Sequence, residues 1–356
     1  MIEKRVREIQ HILGESDAAI IKSHSNRFYM TGFESSAGAV LITKDASYLL
    51  IDFRYVEKAK QVVKSCEVLL SSKENEEICE LCKKHNITTV LVETKHTSIS
   101  ALAALKGALG DIGISESDGL DRKLLDMRSV KSREELEFIK KAQKITDDTF
   151  SYILERISAG RTEIEVMLDM EFFMRKLGSE GIAFDFIVVS GKNSSLPHGV
   201  PGDKRIEKGD FITMDFGARV GGYRSDMTRT VAVGFVDERQ NEVYNTVLKA
   251  QEESIKAIKA GVVCRDIDKI ARDIIYSSGF EGCFGHGLGH SVGIDIHENP
   301  AFNMRCDTIL KEGAVMTVEP GIYLENNFGV RIEDMVYTTA DGCENLTASQ
   351  KQLIVL

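Results

Sequence analysis

The chain has 356 residues, of which 43% are hydrophobic and 28% are charged, and its formal net charge at pH 7 is -10. These values are ordinary for a globular protein, so they exclude disordered, collagen-like and coiled-coil chains. The length allows two domains, each able to bury a core. No apolar run approaches the roughly 20 residues of a membrane-spanning helix, and the charged start lacks the apolar segment of a signal peptide. We therefore expect a cytoplasmic protein without a membrane partner.

The distribution of charges and cysteines further limits the possible partners and the cellular compartment. Lysine and arginine form no basic block, and sequence-independent binding of nucleic acid needs one, so we expect no nucleic-acid partner. The seven cysteines are odd in number and scattered, which is typical of a reducing compartment. Cys79 and Cys82 form a single Cys-x-x-Cys on a predicted amphipathic helix, and without a second pair we interpret both as ordinary thiols.

Residues 1–122 alternate predicted helices and strands. The helices cover residues 3–13, 55–64 and 74–85, and the strands cover residues 18–21, 38–43, 47–51, 67–70 and 88–92. This alternation predicts an α/β domain. We interpret the segment of about residues 115–131 as the linker to a second domain.

Residues 123–356 form the second predicted domain. Ser132 with Glu135, and Thr162 with Glu165, are capping boxes that begin two helices. Asp237, with Gln240 three residues later, begins another helix, and a fourth covers about 264–279. Strand-like runs occupy residues 186–190, 210–216, 228–234, 315–318 and 335–339. Because the helices come in pairs around hairpins, this half is predicted to be α+β with an antiparallel sheet.

Four carboxylates and one imidazole lie in apolar or small-residue contexts that are typical of buried positions. They are Asp215, Asp226, His290, Glu319 and Glu333. Asp215 lies on a predicted strand, and Asp226 begins the next strand after a Gly221-Gly222 turn. Opposed side chains on antiparallel strands lie about 5 Å apart, so the two carboxylates can meet on one face. Two buried carboxylates repel each other unless a cation lies between them.

The charges of this set favour two metal ions over one. The four carboxylates carry a total charge of -4, which two divalent ions neutralise. With one nitrogen donor and no thiolate, the set suits manganese or cobalt, with zinc and iron as alternatives. Two metals about 3.5–4 Å apart share a water, lower its pKa and polarise a carbonyl group, which is the chemistry of a hydrolase.

The sequences around these five residues resemble those of the pita-bread metallopeptidases (family M24), which include methionine aminopeptidase, aminopeptidase P and prolidase. The matching segments are Met214-Asp215-Phe216-Gly217, Ser225-Asp226-Met227-Thr228-Arg229-Thr230, Gly289-His290, Val318-Glu319-Pro320-Gly321 and Arg331-Ile332-Glu333-Asp334. The resemblance covers nearly the whole chain and is closest to bacterial and archaeal Xaa-Pro dipeptidases. It implies an α+β pita-bread (creatinase/aminopeptidase) catalytic domain preceded by an α/β creatinase-type N-terminal domain.

The resemblance also implies roles for the five residues. Asp215 would chelate one metal, and Asp226 and Glu333 would bridge both. His290 and Glu319 would complete the coordination of the other metal. Glu319 would in addition carry a proton away from the water that the metals share.

Further site residues follow from the same resemblance. His198 would face the scissile bond from the substrate side, and His297 would donate a hydrogen bond to the carbonyl oxygen. Arg331, two residues before Glu333, would either hold the substrate or form a salt bridge to a metal-binding carboxylate. Phe184 and Tyr223 are further substrate-pocket candidates, whereas His286 is interpreted as structural.

The resemblance implies a homodimer as well. The segment Asp52-Phe53-Arg54-Tyr55 resembles a motif that approaches the site of a neighbouring subunit, although the start of a surface helix explains it equally well.

The expected function is hydrolysis of the peptide bond before proline by a hydroxide that bridges two metals. A bond to proline has no N–H, and attack at the carbonyl by a dimetal site needs none. The expected substrate is an Xaa-Pro dipeptide, as in prolidase, with aminopeptidase P acting on longer peptides as the alternative. Methionine aminopeptidase normally lacks such a first domain. A metal-free binding protein or creatine amidinohydrolase on the same fold would not keep all five ligands.

Overall fold

The computed structural model describes residues 2–356, which form two compact units that divide between Met127 and Arg128. Among these residues, no helix combines the length and the apolar character that crossing a membrane requires. The predicted domain boundary between residues 122 and 123 lies inside a helix that spans Gly119–Ser129.

The first unit is an α/β fold around one mixed sheet, as the alternating pattern predicts. Its helices are α1 (Ile2–Ile12), α2 (His24–Thr31), α3 (Val56–Val62), α4 (Glu74–Lys84), α5 (Ile99–Leu109) and α6 (Gly119–Ser129). Its strands are β1 (Asp17–Ile21), β2 (Ala39–Thr43), β3 (Ser47–Ile51), β4 (Glu67–Leu70), β5 (Thr89–Val92) and β6 (Gly113–Ser115). The strand order is β4-β3-β2-β1-β5-β6, with β2 antiparallel to both of its neighbours.

Period-2 alternation divides the apolar residues of β1 between the two faces of this sheet. Ala18 and Ile20 share a core with Ile78 of α4 and Leu105 of α5. The alternate residues, Ala19 and Ile21, are equally buried, and α1 and α2 contact the neighbouring strand β2. Both faces of the sheet are therefore covered, which explains why its central strands are continuous apolar runs.

The predicted linker is wrong over most of its length, because residues 119–129 form α6. Leu120 and Leu124 of this helix are buried. Asp121 accepts hydrogen bonds from the backbone N–H and hydroxyl groups of Thr94 and from the backbone N–H of Lys95. These tertiary contacts fix α6 on the first unit, although its many charged residues are typical of a solvent-exposed segment.

The second unit is α+β, and all of its paired strands of two residues or more are antiparallel. Its helices are α7 (Arg133–Leu154), α8 (Glu163–Lys176), α9 (Glu238–Ala257) and α10 (Cys264–Ser277), with a 3-10 helix at Gly191–Ser195. The first strands are β7 (Ile187–Ser190), β8 (Phe211–Phe216), β9 (Arg219–Val220), β10 (Tyr223–Arg224) and β11 (Met227–Ala232). The later strands are β12 (Gly289–Ser291), β13 (Glu298–Phe302), β14 (Val315–Val318), β15 (Gly321–Leu324), β16 (Phe328–Arg331), β17 (Asp334–Thr338) and β18 (Cys343–Asn345).

Two cores organise this unit. Helices α7 and α8 pack on the sheet β11-β8-β7, and α9 and α10 pack on the sheet β13-β12-β14-β17-β18 and the ribbon β15-β16. The predicted capping boxes are present at α7, α8 and α9, so these helices begin where the sequence indicates. Strand β16 contacts both β8 and β11, which brings the ends of strands from both sheets together.

Candidate active site

Asp215 and Asp226 lie on the same face of the hairpin formed by β8 and β11. Asp215 is on β8 opposite Thr228, and Asp226 immediately precedes β11. Because Asp226 and Thr228 are two residues apart in extended chain, they point to one face. The two carboxylates are therefore diagonal neighbours on one face. The sequence-based prediction placed them on one face but directly opposite each other.

The link between these strands is a second, tighter hairpin of β9 and β10. Gly221 and Gly222 both have positive φ, 58° and 78°, as a two-residue turn of the type I′ class requires. At Gly217 an added Cβ would lie 1.9 Å from the carbonyl oxygen of Ser225. This close approach of the two backbones sets the positions of Asp215 and Asp226.

His290 lies in β12, between β13 and β14. At Gly289 an added Cβ would lie 2.1 Å from the carbonyl oxygen of Thr317, so glycine allows β12 to approach β14. Nδ1 of His290 is 3.2 Å from the carbonyl oxygen of Ser291. With the proton on Nδ1 donated to that carbonyl, the lone pair of Nε2 points towards the carboxylates, as a metal-binding imidazole requires.

Glu319 directly follows β14, and Glu333 lies between β16 and β17. A threonine hydroxyl orients each of these two carboxylates. The Thr317 hydroxyl donates to Glu319 Oε1 at 3.2 Å. The Thr228 hydroxyl donates to Glu333 Oε2 at 2.8 Å. Each threonine is two residues from a site carboxylate on the same chain segment, so it shares that carboxylate's face.

The five predicted ligands converge. Ligand atoms of Asp226, His290 and Glu333 all lie within 4.8 Å of one another. His290 Nε2 is 3.6 Å from Asp226 Oδ2 and 3.3 Å from Glu319 Oε1. Asp215 lines the same cavity as these four residues.

The electrostatics of the cluster are those of crowded, buried acids. Burial raises the pKa of Asp226 well above its ordinary value, and the charges of Glu333 and Asp215 raise it further. Burial, then the charges of Glu319 and Asp215, also raise the pKa of Glu333 well above its ordinary value. Burial opposes ionisation of Glu319 as well, but the hydrogen bond with His290 and the charges of His290, His286 and Arg331 together outweigh it and lower the pKa of Glu319 to about 2.

This donor set fits divalent cations. Within residues 2–356, Asp215 Oδ1 and Glu333 Oε1 are buried and have no hydrogen-bond partner. An unpaired buried carboxylate oxygen is costly, and a cation bound to it removes that cost. Hard carboxylate oxygens with a single imidazole are ligands that manganese, cobalt, iron and zinc accept.

A cavity of about 570 Å³ opens above the cluster, and a second of about 280 Å³ adjoins it. Three of the predicted ligands and both further histidines line both cavities: Asp215, His290, Glu319, His198 and His297. The larger cavity has a mostly apolar wall that includes Ile164, Met167 and the predicted pocket residue Phe184. A substrate bound across the cluster would therefore contact both cavities.

Both predicted histidines outside the ligand set reach the cavities. The rings of His290 and His297 are 4.4 Å apart between centroids, at an interplanar angle of 71°. Partial burial lowers the pKa of His297, and the neighbouring His290 lowers it further, which favours a neutral imidazole that donates one N–H. His198 is exposed on a loop between β7 and β8.

Arg331 is buried and its guanidinium group lies against Asp215. Its Nη2 donates to Asp215 Oδ2 at 2.7 Å, and its Nε donates to the Thr228 hydroxyl at 3.0 Å. Its Nη1 donates to the Tyr323 hydroxyl at 2.9 Å. Of the two roles considered for Arg331, the salt bridge to a site carboxylate is the contact that the structure contains.

Tyr223 does not line either cavity. Its ring stacks on Phe138, with 5.9 Å between centroids, and its hydroxyl donates to Glu135 Oε1 at 2.7 Å. As a member of the short ribbon β9-β10, it packs against α7 and so cannot contribute to the pocket as predicted.

Several residues of the site have no counterpart among the sequence-based predictions. They are Thr228, Thr317 and Tyr323, together with Ile164 and Met167 in the apolar wall of the larger cavity. The threonines have a usable signal, because each stands two residues from a predicted ligand in a strand-like run. Tyr323 has none: its hydroxyl meets His286 Nε2 at 2.9 Å and Arg331 through tertiary packing.

Comparisons with known proteins cover both units. The family model described as metallopeptidase family M24 matches residues 137–340. A second family model, the creatinase/prolidase N-terminal domain, matches residues 5–130.

Individual relatives are similar over the full length. A Pyrococcus furiosus protein named Xaa-Pro dipeptidase is 36% identical over 99% of this chain and 100% of its own. The structure of an Xaa-Pro dipeptidase from Bacillus anthracis is 38% identical, covers 100% of both chains and has a TM-score of 0.95. The structure of an X-Pro aminopeptidase from Thermotoga maritima is 38% identical, covers 98% of this chain and 100% of its own, and has a TM-score of 0.91.

Proposed function

This chain belongs to metallopeptidase family M24, and on that premise we propose that it hydrolyses the peptide bond before proline in Xaa-Pro dipeptides. Its pita-bread catalytic domain and creatinase-type N-terminal domain are those that the sequence predicted. The observation that carries the proposal is the convergence of five metal-type ligands and two further histidines on one cavity. Preference for proline is supported by the names of the similar proteins.

We propose that Asp215, Asp226, His290, Glu319 and Glu333 hold two divalent ions, with manganese or cobalt favoured over zinc or iron. When bound, such ions lower the pKa of water and polarise a substrate carbonyl group. The four carboxylates and the unpaired oxygens of Asp215 and Glu333 support this assignment.

The remaining roles belong to the side chains around the cluster. Glu319 accepts a proton from the attacking water at a carboxylate oxygen and delivers it to the leaving proline nitrogen. His297 donates an N–H to the oxyanion that forms from the carbonyl, and the lowered pKa of His297 supports its neutral form. His198 contacts the substrate from the opposite side.

Arg331 orients Asp215 through the hydrogen bond from Nη2 and Thr228 through the one from Nε. Burial raises the pKa of Asp215, and the charge of Arg331 acts against that rise. Its Nη1, shared between Tyr323 and the Pro197 carbonyl at 3.3 Å, lies in the wall of the smaller cavity. We propose that this edge of the guanidinium contacts the bound peptide there, and that Phe184 contributes apolar contact in the larger cavity.

The second candidate function is that of aminopeptidase P, which acts on longer Xaa-Pro peptides. The equal identity to an X-Pro aminopeptidase supports it. The test compares three peptides on enzyme that has been stripped of metal and then reloaded with manganese or cobalt: an Xaa-Pro dipeptide, the same dipeptide extended by two residues, and Met-Ala-Ser.

We expect metal-dependent cleavage of the dipeptide alone. Faster cleavage of the extended peptide would assign the aminopeptidase function, and cleavage of Met-Ala-Ser alone would refute specificity for proline. Absence of cleavage with every divalent metal would refute the proposed activity.

We also propose a homodimer in the cytoplasm. Family resemblance supports the dimer, and the seven unpaired cysteines support a reducing compartment. Sedimentation of a monomer alone at micromolar concentration would contradict the first proposal, and cell fractionation tests the second.

A further inference from the structure

His198 is presented by an exposed turn at the end of a loop whose first part, a 3-10 helix, packs against β8 and β16. The loop leaves β7, forms the 3-10 helix Gly191–Ser195, and then turns at residues 196–199. The N–H of Gly199 donates to the carbonyl of Leu196 at 3.1 Å. Pro197 therefore stands at the second position of a four-residue turn, where its fixed φ is favourable, and His198 stands at the third.

Apolar burial does not hold this turn in place. Leu196 is 56% exposed and Val200 is 84% exposed. The turn has one hydrogen bond to the rest of the unit, in which the Pro197 carbonyl accepts from Arg331. In the 3-10 helix before it, the Ser194 hydroxyl accepts from the N–H of Gly329 at 2.9 Å. The position of His198 above the cavity must depend on how the two ends of the loop are fixed.

One buried carboxylate, that of Glu163, ties the two ends together. Glu163 is 0% exposed and is the first residue of α8. At the start of the loop it accepts from the N–H and hydroxyl of Ser190, at 2.7 and 2.9 Å, and from the amide of Asn193 at 3.1 Å. At the end of the loop it accepts from the N–H of Gly202 at 3.2 Å.

We propose that Glu163 is a positioning residue of the enzyme, which fixes the loop of residues 191–202 so that His198 faces the substrate. This role rests on the proposed peptidase function. Glu163 itself lines neither cavity, so it acts through the loop, which lines the larger cavity with residues 198–201. Its effect on the reaction is assigned to His198. Hydrogen bonds to a carboxylate are stronger than those to a neutral oxygen, and the N-terminus of α8 favours the negative charge.

The substitution Glu163→Gln keeps the shape of the side chain but changes its hydrogen bonding. A carboxylate only accepts hydrogen bonds, whereas a glutamine amide has one accepting oxygen and one donating NH₂ group. All the groups around Glu163 are donors, so the NH₂ group would face a donor at one end of the loop. That end is released, and His198 is displaced.

A displacement of about 1 Å at a catalytic group costs on the order of 10²-fold in rate, so we expect Glu163→Gln to lower kcat by about 10–100-fold. The test is a double-mutant cycle with His198→Ala, measured on remetallated holoenzyme with the peptide that the wild type cleaves. Because Glu163 acts through His198, the same substitution in the His198→Ala background should change kcat by less than about twofold.

Glu93 in the first unit provides a matched control. It is 2% exposed and accepts from the N–H groups of Lys22 and Ser23, the Ser23 hydroxyl and the Asn26 amide, at 2.5–2.8 Å. Glu93→Gln thus removes a carboxylate with nearly the same donors. It should lower the melting temperature as Glu163→Gln does, but leave kcat within about twofold.

A second readout is independent of activity. Hydrogen–deuterium exchange of residues 191–202 should be faster in Glu163→Gln and unchanged in Glu93→Gln. If Glu163→Gln does not fold, Asn193→Ala removes one of the four donors and should show a smaller loss within the same cycle.

Two results would overturn the proposal. The first is a double mutant in which the losses of kcat from Glu163→Gln and His198→Ala multiply, as for independent residues. The second is hydrogen–deuterium exchange of the loop that is the same in Glu163→Gln as in the wild type. If the wild type cleaves no peptide but Glu163→Gln exchanges faster in the loop, the peptidase function is refuted and the structural role of Glu163 in the loop stands.

Discussion

The substitution Glu298→Gln should destabilise the second unit strongly at neutral pH and weakly in acid. Glu298 is buried between two cations: its carboxylate pairs with Arg128 and lies 3.1 Å from Lys131 Nζ. It also accepts from the N–H groups of Ile294 and Asp295 at 2.9 and 3.1 Å. Glutamine leaves the buried Lys131 without its counter-charge and leaves Arg128 with the partly exposed Asp295 alone.

The magnitude follows from the pKa of the carboxyl group. Burial alone would raise the pKa of Glu298, but Lys131 and Arg128 lower it from 4.5 to about 2. At about 1.4 kcal/mol per pKa unit, this difference corresponds to roughly 3 kcal/mol of stability. Removal of one partner of a buried ion pair costs about 3–5 kcal/mol, which agrees.

The direction of the pH dependence follows from the lowered pKa. The folded protein holds Glu298 ionised more strongly than the unfolded chain does, so the contribution is fully present above pH 4.5. It is lost as the pH falls towards 2, with about half gone near pH 3.2. The stability difference between wild type and Glu298→Gln should therefore narrow below pH 4.5.

The assay is urea unfolding of metal-stripped protein, from pH 7 to the lowest pH at which both proteins fold. The chain has no tryptophan, so circular dichroism is the signal. Asp295→Asn is the control: Asp295 pairs with the same Arg128 at 2.7 Å, but its side chain is 43% exposed, and it should cost less than about 1 kcal/mol. A loss below 1 kcal/mol for Glu298→Gln, or one that is constant with pH, would refute the reasoning.

Three further predictions concern the site and the first unit. Asp226→Asn and Glu333→Gln should each lose bound metal and activity together; full activity with metal retained, measured by mass spectrometry, would contradict the ligand set. His297→Ala should lower kcat by about 10²–10³-fold with little change in KM, and steady-state kinetics showing less than a tenfold loss would exclude the oxyanion role. Asp121→Asn should cost the first unit about 1–3 kcal/mol in urea unfolding, because the amide has one accepting oxygen in place of two, so either Thr94 or Lys95 loses its acceptor.

The sequence predicted those parts of the fold that local rules determine. Capping boxes located the starts of α7, α8 and α9, because a capping box is a contact among four consecutive residues. The strands β2 and β3 are five-residue apolar runs on either side of a short turn, which is also a local pattern. In contrast, β12 and β16 have three and four residues, too few for a period to be visible.

The helix α6 combines a local signal that the linker interpretation overlooked with a contact that no local signal predicts. Leu120, Leu124 and Met127 stand at helical spacing among charged residues. Its acid Asp121 is satisfied by residues 26 and 27 positions earlier in the chain. No pattern within the helix predicts that contact, which only the folded unit supplies.

The site could be predicted to the extent that its residues occur in recognisable segments. Asp215, Asp226, His290, Glu319 and Glu333 come from three separate regions, and their segments predicted a common site before any distance was known. Tyr223 was predicted as a pocket candidate together with Phe184. Its hydroxyl, however, reaches Glu135 on α7, and the direction of a side chain in a two-residue strand is decided by what packs against it.

The ligands and the two histidines are held in different ways, which explains where buried acids are needed. Asp215 and His290 lie within strands, and Asp226, Glu319 and Glu333 lie within two residues of a strand end, so backbone ladders fix them. His198 and the segment before His297 lie outside the ladders. Glu163 spans the ends of the first segment, and Glu298 accepts from N–H groups within the second. Because loops are mobile without such contacts, a buried carboxylate that gathers several donors supplies the rigidity that a strand supplies elsewhere.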